Sequence, residues 1–181
     1  MSDTLITIVA ILLAAVLMFI FPLLSVSERS DDISQLSVAS ATAEFVDNSR
    51  ATGKITMDNY TKLITTINAT GNSYDVEMEI KVLDENIGKK SAWTQGTVIG
   101  ENVYYSVYTS QIVEVLKDRD GIYKSNGVYK MKEGDIFSVS VKNTNKTLSQ
   151  TIRGVFYSMS GSDVYSIMAQ HSGIVTANGS Y

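Results

Sequence analysis

No cysteine occurs among the 181 residues of the chain. That absence excludes a disulfide framework, a thiolate metal site and a cysteine nucleophile. Histidine, tryptophan and proline occur once each, as His171, Trp93 and Pro22. A lone histidine works as a general base only beside an oriented partner and a nucleophile, and no G-x-S-x-G segment supplies one. The chain therefore reads as non-catalytic, and His171 as a structural or surface residue. Lys and Arg total 15 against 19 Asp and Glu, a net charge of −4, and the basic residues are scattered. No patch exists to neutralise phosphates, which excludes a nucleic-acid partner.

The most consequential absence is of charge between Asp3 and Glu28. Residues 5–26 read LITIVAILLAAVLMFIFPLLSV. As a helix they span about 33 Å, enough to cross the hydrocarbon of a bilayer. A cleaved signal peptide would carry a basic n-region and a shorter apolar run, whereas Met1-Ser2-Asp3 precedes this one. The small-x-small triplets at 39–41 and 41–43 stand too far beyond it for ordinary cleavage. The reading is a retained anchor over 1–27 and a polar body over 28–181. Arg29 sits among Glu28, Asp31 and Asp32, so flanking charge says little about orientation. The Ser-, Thr-, Asn-, Tyr- and Gly-rich body suits an extracellular surface. The expectation is a single-pass protein of the cell membrane with its C-terminal domain outside.

The body reads as α+β. From Glu28 to Asn48 there is neither Gly nor Pro, so the membrane helix is expected to continue into the body, with any bend at Pro22. Two helices hinged near residues 25–30 are the alternative. Ile33, Leu36, Ser37, Ser40, Phe45 and Val46 recur at three- and four-residue steps and predict the buried stripe. Thr56 is placed to cap a second helix with Tyr60, Leu63, Ile64 and Ile67 on one face. Residues 74–82 alternate Tyr, Val, Met, Ile, Val with Asp, Glu, Glu, Lys, which predicts an antiparallel strand with one wet face. Further strands are expected within 98–108, 136–141 and 165–176, and further helices after Thr109 and Thr147, the last with Leu148, Ile152, Val155, Phe156 and Met159 on its apolar side.

The segment FVDNSRATGKIT at 45–56 resembles the F-V-x-x-x-R-x-T/S-G-x-I-T stretch of Tad-type (tight adherence) pseudopilins of Gram-positive bacteria. The strand start Tyr74-Asp75-Val76-Glu77-Met78, the Gly134-to-Val139 segment and the C-terminal Ser172-to-Val175 segment fit the same pattern. The resemblance, to type IV pilin-like proteins of the TadE-like kind, implies a long N-terminal helix packed on a small antiparallel sheet. It implies a subunit of a surface filament or secretion apparatus, whose partners are other pilin-like subunits and assembly platform proteins in the membrane, with no cofactor. The chain departs from the family's prepilins in showing no basic leader, no Gly before the anchor and no acid inside it. A minor subunit is the expectation that follows. A membrane-tethered sensory or ligand-binding domain is the alternative.

Candidate contact residues are few. Ala10, Ala14 and Ala15 offer small side chains for helix packing in lipid, and Pro22 marks the bend. Trp93, Tyr104 and Tyr108 are candidates for partner contact, because aromatic rings with a polar tip bury area at low entropic cost. Glu77 and Glu79 share a strand face, which is usually the solvated side. Asp118-Arg119-Asp120-Gly121 faintly resembles a calcium loop but has Tyr129 where the last carboxylate would fall. No metal site is expected.

Overall fold

The computed structural model describes residues 2–84, 104–118, 126–157 and 167–179. The element that organises it is α1, Ser2–Thr52, one helix of 51 residues with Pro22 inside it. There is no hinge at 25–30. The apolar stretch in its first half holds no buried residue and is long and apolar enough to span a membrane. Its second half is the spine of the body.

The helix ends because Gly53 takes φ +66, a left-handed conformation that costs a residue with a Cβ. A short strand, β1 (Lys54–Thr56), leads into α2 (Met57–Asn68). As expected, Thr56 caps α2, its hydroxyl accepting from the Asn59 amide. Leu63 and Ile67 are buried, and Gly71 at φ +82 turns the chain. Next come β2 (Tyr74–Leu83), β3 (Tyr104–Tyr108), α3 (Thr109–Lys117), β4 (Val128–Lys130), β5 (Ile136–Asn143), α4 (Leu148–Tyr157) and β6 (Met168–Ile174). The main sheet is antiparallel throughout, in the order β3-β2-β5-β6. β1 and β4 form a separate two-stranded ribbon. The alternation read over 74–82 holds: Val76, Met78 and Ile80 are buried, while Asp75 and Glu77 are exposed.

The inner sheet face, with Met78 beside Val139 and Ile80 beside Phe137, joins Val38, Phe45 and Val46 of α1 in one core that also takes in Ile112 and Leu116 of α3. The Phe45 and Phe137 rings meet edge to face at 5.8 Å. Beneath α1, β6 runs in the same direction. Gln35 holds Met168, Asp47 meets His171, and the Arg50 carbonyl accepts from the Thr176 amide.

The buried stripe of α1 differs from the one read in the sequence. Ile33 and Leu36 are 63% and 72% exposed. The residues facing inward are Ser27, Ser34, Val38, Thr42, Phe45, Val46 and Ser49. Small side chains let the helix lie close over Ala169 and Gly173 of β6, where a Cβ on Gly173 would stand 2.8 Å from Arg50 Cδ. Two of the hydroxyls are satisfied along the helix, Ser34 and Thr42 donating to the carbonyls of Ser30 and Val38 at 2.9 and 2.7 Å, while Ser49 Oγ has no partner among the described residues. Two other readings change. Leu148 is exposed instead of joining an apolar core side. The ribbon strands β1 and β4 carry no alternation long enough to announce them.

Candidate functional site

Three side-chain clusters tie α1 to the body along its length, and they fix which of its sides remains free. At the lower end, nearest the apolar span, Asp31 accepts from the hydroxyls of Thr147 (2.7 Å) and Ser149. Glu28 accepts from Arg153 Nε at 3.0 Å. Both acids come from the charge cluster that follows the span, and both bind α4. A carboxylate that accepts from two hydroxyls at a helix N-terminus also sits well for the helix dipole. In the middle, the Gln35 carboxamide makes a paired contact with β6, donating to the Met168 carbonyl at 2.6 Å and accepting from its amide at 2.9 Å. Gln35 thereby stands in for a neighbouring strand at the sheet edge.

At the upper end, Asp47 Oδ1 bridges Arg50 Nε at 2.8 Å and His171 Nε2 at 3.2 Å. These contacts hold the Asp47 carboxyl below its ordinary value of 3.8, the His171 hydrogen bond being the larger cause and Arg50 the next. A carboxylate with a depressed folded-state pKa adds stability above its unfolded value, and that contribution is lost as pH falls through the folded value. Asp47→Asn should therefore lower the melting temperature at neutral pH. In acid, once the pH has fallen through the folded value and the carboxyl is protonated, the two curves should converge. Parallel curves across the whole range would refute the ionic role.

His171 thus belongs to a helix–sheet tie, and among the described residues no group of three or more His, Asp or Glu could hold a metal. Glu79 accepts from Ser106 Oγ at 2.7 Å and is part of the strand surface. Asp135 is buried and accepts from the amides of Leu83 and Lys132. It clips the end of β2 to the turn before β5. The partners of Asp31 and Asp135 lie 116 and 52 residues away, and no local pattern encodes such pairings.

Among the contact candidates, Ala10, Ala14, Ala15 and Pro22 are all exposed on α1. Tyr104 and Tyr108 are exposed on β3, with Tyr105 between them. Trp93 lies outside the described residues, as does the Arg119-to-Gly121 part of the faint calcium loop. Tyr129 packs inward on β4, and burial pushes its hydroxyl up to about 12. A shallow open cleft lies between α1 and α2, lined by Phe45, Leu63 and Thr66 and bridged at its rim by Lys62 and Glu44 at 2.8 Å.

By helical spacing, Ala15, Pro22, Val26, Ile33 and Leu36 fall on one side of α1. The sheet lies on the other side, over Val38, Thr42 and Phe45. On that side Val26, Ile33 and Leu36 are all largely exposed, with the exposed Arg29 between Val26 and Ile33. Ala10 and Ala14 fall on a different side from Ile33. No protein-family model matches the chain, and no curated protein or solved structure does so significantly.

Proposed function

We propose that this protein is a membrane-anchored, non-catalytic subunit of a pilin-like surface filament or secretion apparatus, with its body outside the cell. One observation carries the reading. Beyond the end of the span and past Arg29, α1 carries two large apolar side chains, Ile33 and Leu36, exposed on the side the sheet leaves bare. Burying a side chain such as Ile33 or Leu36 is worth roughly 1.5–3 kcal/mol. A helix that served only as a tether would have no use for apolar side chains there. A neighbouring subunit packed alongside α1 would cover them, and inside the bilayer the contact would continue across small side chains. Support also comes from the build of the body, a spine helix held on an antiparallel sheet by ties at its lower, middle and upper levels.

The absence of cysteine makes the test clean. Cysteine introduced at Ile33 should crosslink to a neighbouring subunit in native membranes. Leu36→Glu should cut that crosslinking several-fold while leaving the body folded, because Leu36 touches nothing in the core. Ala15→Leu, on the same side of the helix as Ile33, should leave insertion intact and weaken association within the span. Crosslinking indifferent to both changes would show a simple tether and favour a sensory or ligand-binding role.

A further inference from the structure

Every second backbone unit of β6 turns away from the sheet. The Asn143 amide donates to the Ile167 carbonyl, whereas the amide and the carbonyl of Met168 both go to Gln35. In an antiparallel ladder the two directions alternate along a strand. Ala169, His171 and Gly173 therefore face β5, and Gln170, Ser172 and Ile174 present their N–H and C=O groups at the outer edge. The ends of that edge are taken: Gln35 bonds Met168, and the Thr176 amide donates to the Arg50 carbonyl. The three residues between them bond to nothing on that side among the described residues. All three are exposed.

β6 lacks the devices that usually blunt an open edge. Its sequence, MAQHSGI, holds no proline, lysine, arginine or carboxylate. It pairs with β5 in unbroken register from Met168 to Ile174, so no bulge twists the edge away. The edge also stands clear of lipid, because Gln35 lies about 14 Å along α1 beyond Val26, where the apolar run ends. Between Gln35 and Arg50 the flank of α1 toward this edge carries, by helical spacing, Ala39 and Ala43. Their small side chains leave room for a chain alongside.

We propose that the edge of β6 is a strand-addition site, taking one extended segment of a partner protein, paired antiparallel, between the Gln35 and Arg50 ties. Main-chain bonds to Gln170, Ser172 and Ile174 hold the segment, and its alternate side chains set the preference. An apolar, β-branched residue suits the position beside Ile174, which is 58% exposed on the open face of the sheet. Small residues suit the side that meets Ala39 and Ala43. A second copy of this chain, paired in the antiparallel manner of the sheet, does not fit. β6 runs in the direction of α1, so two paired β6 strands would point their anchors in opposite directions. Joining β6 to β3 of another copy would put about 80–100° of accumulated strand twist between the anchors. The site depends on the sheet alone and is independent of whether the protein builds a filament.

The test uses the full chain in detergent micelles and the synthetic peptide KAVAVAVK, acetylated and amidated, with KAVAPAVK as the proline-broken control. Residue-resolved amide exchange is measured with and without peptide. In the free chain the amides of Gln170, Ser172 and Ile174 should exchange about 100-fold faster than those of His171 and Gly173, which are bonded to β5. KAVAVAVK should slow the three outward amides roughly tenfold, and KAVAPAVK should not. Ser172→Pro removes the central outward donor and should abolish the slowing. Gln170→Pro makes the same cut one rung lower, should Ser172→Pro fail to show a cooperative melt. Slow exchange of all three amides in the free chain would mean that the chain covers its own edge, and would overturn the proposal. Equal protection by the two peptides, protection at Tyr104 and Ser106 of β3 instead, or none at the highest soluble peptide concentration would overturn it as well.

Discussion

Met78→Asp leaves the body unfolded. Met78 is 1% exposed at the centre of the sheet's inner face. It pairs across to Val139, which in turn pairs with His171. Removing the thioether forfeits roughly 2–5 kcal/mol of burial and packing. The new carboxylate finds no cation on the apolar layer formed by Ile80, Phe137 and Val46, and an unpaired buried charge costs several kcal/mol more. The sum is comparable to the whole stability of a typical domain, about 5–15 kcal/mol. Circular dichroism in detergent should show α1 partly helical and the cooperative thermal transition lost. A cooperative transition within about 5 °C of the parent would mean that this face of β2 is not the core. Met78→Leu, close in volume, should cost less than about 1.5 kcal/mol and keep the transition.

What the sequence disclosed follows the range of the interaction that sets each element. The spanning run, the Thr56 cap, the alternation of β2 and the helix at Thr109 are local patterns, and the structure has them where they were read. The stripe of α1 was misread for a physical reason. The largest apolar residues of its upper half, Ile33 and Leu36, were assigned to the core, yet the helix lies on Ala169 and Gly173 and approaches them through Ser, Thr and Val. Close approach selects small side chains, and small side chains carry little hydrophobic signal. Asp31, Gln35 and Asp135 acquire their roles from partners far along the chain, so their spacing revealed nothing. The outward Leu148 was placed inside by the same habit of sending apolar residues to the core. Of the contact candidates, Ala15 and Pro22 lie on the side of α1 that the sheet leaves free. Ala10 and Ala14 lie elsewhere on the helix, a distinction that appears only once the sheet's position is known.

Gly53→Ala should destabilise the body more than any other single-methyl change in it. Two costs fall on one position. The backbone at φ +66 sits in the left-handed region, where a Cβ costs roughly 1–2 kcal/mol. That methyl would also stand 2.2 Å from the Ala177 carbonyl oxygen, 2.5 Å from the Gly179 nitrogen and 2.9 Å from the Asn178 carbonyl carbon. All three are backbone atoms, which cannot swing aside as a long side chain can. Relief requires the C-terminal segment to lift away. Lifting it threatens the Gly179 amide's bond to the Met131 carbonyl and the Asn178 side chain's bond to the Glu133 amide. The Met131 amide donates to the Gly53 carbonyl at 2.8 Å, so the ribbon of β1 and β4 is disturbed as well. A loss of about 3 kcal/mol or more is expected, a fall in melting temperature of roughly 6–12 °C for a body of this size. Gly71→Ala is the matched control. It has a similar positive φ of +82 but nothing within 4 Å of the added methyl, so it carries the backbone cost alone. Equal losses at the two positions would show that the C-terminal segment does not lie on Gly53. A larger loss at Gly53 assigns the difference to that contact.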